Sequence, residues 1–367
     1  MLLRRAALLC FFARGSVSVL QYGHAFQSPG DFSESEYYSI ASTFPIFTVE
    51  KRHAPAVYGN ASAPYPFQSN SIAASVGTAR KIKALNSSVR VLMYWNSALH
   101  WNFYECEADV RPSWLLPPSH GLPVAAYDYA SADFRAWWVA CAVGALRNSS
   151  GALDGLFVDA APKLSWAGQP SNAFDLWGAM LDAVRAAVPD AFLIFNGDYY
   201  SDSAAVIANS SLLVHAAAVY VESLADLIED AAKDPPSTIV AYLRYLAATA
   251  ADDPKKLLVG HGALNASSAQ NPSDQRAFVF GLAVYLLVTP DPSTSYFLAN
   301  FGYRVDQGLL FPHAEYAVAY GQPLGDFVAR GSVLTRKFTN ATVTVDLETQ
   351  TGSITVGLEG VQKHNYN

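Results

Sequence analysis

The chain has 367 residues, 51% of them hydrophobic and only 15% charged, with a formal net charge of −7. That composition excludes a largely disordered chain. With no basic stripe to neutralise phosphates, it also argues against a nucleic-acid partner. Aromatic residues reach 13%, with 7 Trp and 20 Tyr, an excess that suits carbohydrate sites as well as core packing.

Arg4 and Arg5, followed by the apolar run Ala6–Ala13, read as a secretory leader. It is expected to occupy residues 1–22, with cleavage somewhere between Ser16 and Ala25. Six Asn-x-Ser/Thr sequons begin at Asn60, Asn86, Asn148, Asn209, Asn265 and Asn340, where chance would place roughly two. Cys10 would leave with the leader, so Cys106 and Cys141 remain as candidates for one disulfide. The longest apolar run, Ala277–Val288, contains Gly281 and is too short to span a bilayer. It reads as a buried helix. The expectation is a secreted or lumenal glycoprotein, monomeric, with no membrane contact after leader removal.

In chain order, Phe44–Glu50 is the first predicted strand, Asn70–Leu85 a helix and Val89–Trp95 a second strand, running into Asn96. A long aromatic loop, Ser97–Tyr127, precedes a helix over Ser131–Arg147; loops of that length are more often functional than filler. Leu156–Val158 is a short apolar run of β-formers, preceded by Asp154-Gly155 and ended by Asp159. Helices over Asn172–Val188, Ser203–Ala208, Thr238–Ala250 and Asp274–Leu287 then alternate with strands. Those strands are Phe192–Asn196, Ala216–Val221, Leu257–Gly260 and Ser295–Ala299. Beyond Gly325 the pattern turns to paired strands, Val333–Phe338, Thr342–Leu347 and Gly352–Leu358.

Strand–helix alternation at this spacing requires a parallel sheet with helices outside it. No Gly-x-Gly-x-x-Gly and no Walker pattern is present, which leaves a nucleotide-binding open sheet unsupported. The expected fold is a (β/α)8 TIM barrel over residues 23–325, a small C-terminal β element over 326–361 and a disordered tail over 362–367.

Glu50, Asn96, Asp159, Asp198, Glu222 and His261 fall at the carboxyl ends of successive predicted strands, the active face of such a barrel. Glycosidic hydrolysis needs two carboxyl groups, one to protonate the leaving oxygen and one to attack or to activate water. Asp159 and Glu222, two units apart, are the predicted catalytic pair. Competing readings are a helix cap for Asp159, a buried ion pair for Glu222 and a turn Asp for Asp198. Asp198, Asn196, Tyr94, Asn96, Glu50 and His261 are candidate substrate contacts, and Trp95 a candidate sugar platform. No histidine pair has metal spacing, so neither metal nor cofactor is expected. A non-catalytic carbohydrate-binding barrel is the rival reading.

Tyr127-Asp-Tyr-Ala-Ser-Ala-Asp-Phe-Arg135-Ala-Trp-Trp, followed by Leu153-Asp-Gly-Leu-Phe-Val-Asp159, resembles a pattern of (β/α)8 glycoside hydrolase-like proteins. The resemblance is to the hypothetical glycosyl hydrolase 15 group and, more distantly, to the endo-α-1,4-polygalactosaminidase type. Leu324-Gly325 and Leu334-Thr-Arg336-Lys-Phe338-Thr-Asn340 resemble that group's tail, except that its Asn-Gly turn is Asn340-Ala341 here. The resemblance implies a sugar-cleaving barrel with Asp159 as nucleophile or base and Glu222 as acid. Tyr127, within this motif, is a further candidate substrate contact.

Overall fold

A computed structural model describes residues 18–27, 31–51, 53, 71–117, 124–160, 168–196, 215, 217–221, 235–252, 257–261, 272–292, 295–298, 305 and 308–357. Eight parallel strands close into a barrel in sequence order. They are β1 (Leu20–Ala25), β2 (Ile46–Val49), β3 (Arg90–Asn96), β4 (Gly155–Asp159), β5 (Phe192–Asn196), β6 (Ala218–Val221), β7 (Leu257–His261) and β8 (Tyr296–Leu298). Closure runs through Leu20↔Tyr296 and Gln21↔Phe297. Outside lie α1 (Glu34–Thr43), α2 (Ser71–Leu85), α3 (Ala132–Asn148), α4 (Ala173–Ala187), α5 (Pro236–Asp252) and α6 (Pro272–Val288). The predicted helix over Ser203–Ala208 and the predicted tail lie outside the described residues.

The first strand was not among those predicted from the sequence. β1 is an integral stave of the barrel, with Tyr22 fully buried and its hydroxyl bonded to Thr48 Oγ1 of the neighbouring β2. The strand starts at Leu20, within the Ser16–Ala25 range expected for leader cleavage. The helix that follows was also unforeseen. Ser33 caps α1 at the Glu36 amide and Glu36 returns to the Ser33 amide, a reciprocal cap that fixes its start.

The Asp154-Gly155 pair ahead of β4 is structural. Asp154 accepts from the Val91 amide at 2.7 Å and pairs with Lys83. A Cβ at Gly155 would lie 1.8 Å from the Phe192 carbonyl oxygen, so only glycine lets β5 approach there.

The last segment forms an antiparallel sheet of β9 (Val328–Arg330), β10 (Val333–Lys337), β11 (Ala341–Asp346) and β12 (Thr351–Val356), in the order β12-β11-β10-β9. It covers α6, which explains why that helix is apolar all round: Leu282 to Val288 are fully buried between sheet and barrel. Gly352 permits the contact, since a Cβ there would lie 2.8 Å from Phe280 Cα.

The buried Arg336 of β10 locks sheet to helix. Its Nη1 donates to the carbonyls of Leu286, Leu287 and Thr289, and its Nε to that of Gly325. These include carbonyls at the carboxyl end of α6 that lack a helical partner. Replacing Arg336 with Met keeps the volume and strands those acceptors. Urea denaturation of Arg336→Met should show a loss of about 2–4 kcal/mol.

Candidate active site

The side chains of β3, β4 and β5 that share one parity meet inside the barrel at its carboxyl end. Register pairs Tyr94 with Phe157, and Asn96 with Asp159, which in turn faces Asn196. The Asp159 carboxylate is the hub. Its Oδ2 accepts from the Tyr94 hydroxyl and from Asn96 Nδ2 at 3.0 Å, and its Oδ1 accepts from Asn196 Nδ2 at 2.6 Å.

Each donor is itself held. Asn96 Oδ1 accepts from the Ala98 and Leu99 amides at 2.9 and 2.6 Å, which turns its Nδ2 toward Asp159 and Tyr94. Burial, reinforced by the negative charges of Asp159 and Glu50, holds the Tyr94 phenol well above its ordinary pKa. It therefore stays a donor. All three partners of Asp159 donate, so the cluster is built around a carboxylate.

The turn leaving β4 is strained. Ala160 has φ 59°, a left-handed conformation costly for a residue with a Cβ. Ser97 holds it: its amide donates to the Asp159 carbonyl, its hydroxyl donates to the Ala160 carbonyl at 2.6 Å, and Trp177 Nε1 donates to that hydroxyl.

Glu50 follows β2 and is fully buried. Its Oε1 lies 2.7 Å from Lys51 Nζ and 4.0 Å from His24 Nε2. Lys51 Nζ in turn stands 4.1 Å from the centre of the Tyr94 ring. His24 of β1 packs 4.7 Å from Phe157, which also meets Tyr220. His24 was hidden from the sequence reading because β1 was counted partly as leader. Its signal was the alternation of Tyr22 and His24.

Two predicted contacts lie elsewhere. Trp95 has the opposite parity to Tyr94 and packs outward on Tyr104 and on Trp138 of α3. Tyr127 is fully buried, stacked on Phe134 and bonded to Glu107. Neither offers a ring face to a sugar, which corrects both assignments. His261 ends β7 opposite Leu298. Asp198 and Glu222 lie outside the described residues; Glu222 follows Val221, the last residue of β6, in sequence.

The long loop after β3 is fastened over α3. A Cys106–Cys141 disulfide ties it to that helix. Trp137 Nε1 donates to the Cys106 carbonyl and Tyr104 donates to the Tyr94 carbonyl. Among the described residues no group of three or more His, Cys, Asp or Glu could hold a metal. No helix among them is long and apolar enough to cross a membrane.

A closed (β/α)8 barrel with a hydrogen-bonded carboxylate at the carboxyl ends of its strands has the architecture of the barrel glycoside hydrolases. The chain belongs to hypothetical glycosyl hydrolase family 15, whose model matches residues 83–342. Among solved structures it is similar to an alpha-amylase from Lactobacillus plantarum (TM-score 0.52, 12% identity, 93% of this chain and 95% of that one). An Anoxybacillus alpha-amylase gives TM-score 0.50 at 9% identity over 94% and 93%. The glycoside hydrolase domain of PelA from Pseudomonas aeruginosa gives 0.46 at 16% identity over 76% and 99%. At such identities the likeness to the two amylases establishes the fold alone. No curated protein sequence matches.

Glu107 generates a test of the loop. It accepts from the Phe103 and Tyr104 amides and the Tyr127 hydroxyl, yet burial outweighs these donors and pushes its carboxyl up to about 7. The folded protein then keeps a proton that the unfolded chain releases above its ordinary value of 4.5. Stability from this group is complete below that value and falls by about 2–4 kcal/mol as pH rises to 7. Urea unfolding at stepped pH should show this decline in the wild type and a flatter profile in Glu107→Gln.

Proposed function

We propose that this protein hydrolyses O-glycosidic bonds of an oligo- or polysaccharide, with Asp159 as nucleophile or general base and Glu222 as general acid. One observation carries the reading: the lumenal carboxylate of Asp159, fixed by donors from β3 and β5 at the carboxyl end of β4. Oδ2 receives two hydrogen bonds and Oδ1 one, so Oδ1 keeps the spare lone pair. Oδ1 is therefore the oxygen that attacks the anomeric carbon or takes the proton of water. Separation of the two carboxyl groups sets the outcome: roughly 5–5.5 Å gives retention and roughly 6.5–9.5 Å inversion.

Asn96, Asn196 and Glu50 are substrate-side groups in this reading, and Asp198 and His261 are carried as further contacts from the sequence. The chain acts in the secretory lumen or outside the cell. The Cys106–Cys141 disulfide supports that address, because such bonds persist in oxidising compartments.

Reducing-sugar release from a panel of α- and β-linked glycans tests the function. Asp159→Asn and Glu222→Gln should each lower kcat by about 10²–10⁴-fold or more while binding persists. Turnover that survives Asp159→Asn would end the assignment, and wild-type binding without turnover would favour the lectin-like barrel. Tyr94→Phe removes one charge-assisted hydrogen bond from Asp159. It should cost about 10–100-fold in kcat/KM, mostly through kcat.

A further inference from the structure

We propose that Asn148 carries an N-linked glycan whose core seats in the cleft between α2 and α3 and covers the Cys106–Cys141 disulfide. The inference rests on the lumenal address proposed above. Asn148-Ser149-Ser150 is a sequon, and Asn148 is the exposed last residue of α3. It lies on the rim of an open cleft of about 510 Å³. Ile72, Val76 and the two half-cystines form the apolar wall, while Arg80 and Glu105 supply polar atoms.

The volume arises because small residues, Ala73, Gly144 and Ala145, line the facing helices. A Cβ added at Gly144 would meet nothing within 4 Å. A sugar ring has an apolar C–H face and a hydroxyl rim, and the cleft offers a matching surface for each. Glu105 is already fixed there, its carboxylate accepting from the Ile72 and Ala73 amides at 2.9 and 3.2 Å. The attachment point is set apart from the proposed catalytic group: Asn148 ends α3, ahead of the turn that enters β4 at its amino end, whereas Asp159 stands at the carboxyl end of the same strand.

Two other described sequons differ. Asn86 is half-buried, its Nδ2 donating to the Ala41 carbonyl at 2.8 Å and its Oδ1 accepting from Ser88. Asn340 is exposed in the β10–β11 turn, with its Nδ2 donating to the Ala319 carbonyl at 3.3 Å. In the transfer itself, the donor is a polyprenyl-diphosphate-linked oligosaccharide. The bond from its anomeric carbon to the phosphate oxygen breaks and the bond to Asn148 Nδ2 forms. The amide loses one proton, and the polyprenyl diphosphate leaves with the electron pair.

The test uses the full chain expressed in a eukaryotic secretory host. Glycopeptides are released by an amidase in ¹⁸O water, and reduction of the Cys106–Cys141 bond by dithiothreitol is timed. The Asn148 peptide should take up the label. Asn148→Gln and Ser150→Gly should each lose one glycan, and the disulfide should then be reduced several-fold faster. Ser150→Gly suits the positive φ of 56° at that position and leaves Asn148 in place. Trimming the folded wild type with an endoglycosidase should accelerate reduction in the same way.

A label at Asn340 with none at Asn148 overturns the site while leaving the lumenal address intact. No label anywhere, with both cysteines as free thiols, overturns the address and the site together. A glycan at Asn148 whose removal leaves the reduction rate unchanged overturns its seating in the cleft.

Discussion

A carboxylate half-buried at the mouth of a closed barrel loses part of its water, and the protein has to replace what is lost, because burying an ionised group without partners is prohibitive. Asp159 meets that constraint with donors from both neighbouring strands: Tyr94 and Asn96 from β3, and Asn196 from β5. The parallel register makes this possible, since residues 96, 159 and 196 lie side by side across three strands. A slip of one residue in β3 would bring Trp95 to face the lumen and send both Tyr94 and Asn96 outward. The polar end of the barrel therefore hangs on this strand pairing.

The same logic extends to the long loop after β3. Ser97, the first residue beyond the strand, bonds to the chain on either side of the strained Ala160 and receives Trp177 from α4. Tyr129 reaches back to the Ser97 carbonyl and Trp138 to the Asn96 carbonyl. The loop is thus not draped over the site but bolted to its floor, with the disulfide as an outer tie. Rigid support of this kind lets a residue keep a left-handed backbone next to the Asp159 carboxylate.

Much of this was legible in the sequence. The apolar run Leu156–Val158 ending in Asp159 marked a buried strand with a polar tip, and β5 matched its predicted bounds at Phe192–Asn196. What failed did so for physical reasons. β1 is short and follows an apolar, basic-flanked terminus, so its hydrophobicity was absorbed into a leader. Trp95 was misplaced because composition marks a sugar platform while only parity tells which face a strand residue takes. Asn96 and Tyr94 share one face of β3, and that alone sends Trp95 to the helices. The burial of Tyr127 and Glu107 depends on how a thirty-residue loop folds back on α3, and no local pattern encodes that.

The hydrogen bonds that hold Asp159 also limit it. Each bond an oxygen accepts lowers its electron density, so a carboxylate saturated at both oxygens would be stable and inert. The cluster divides the two roles. Oδ2, bound by Tyr94 and Asn96, anchors the group, whereas Oδ1 accepts from Asn196 and retains a lone pair, as the proposed role requires. The Tyr94 phenol is the adjustable element in this division. Its proton is retained by burial and by the charges of Asp159 and Glu50, with the Lys51 ammonium over its ring. Glu50 and Lys51 thus act on Asp159 through Tyr94 without touching it. That couples β2 electrostatically to a carboxylate carried two strands away.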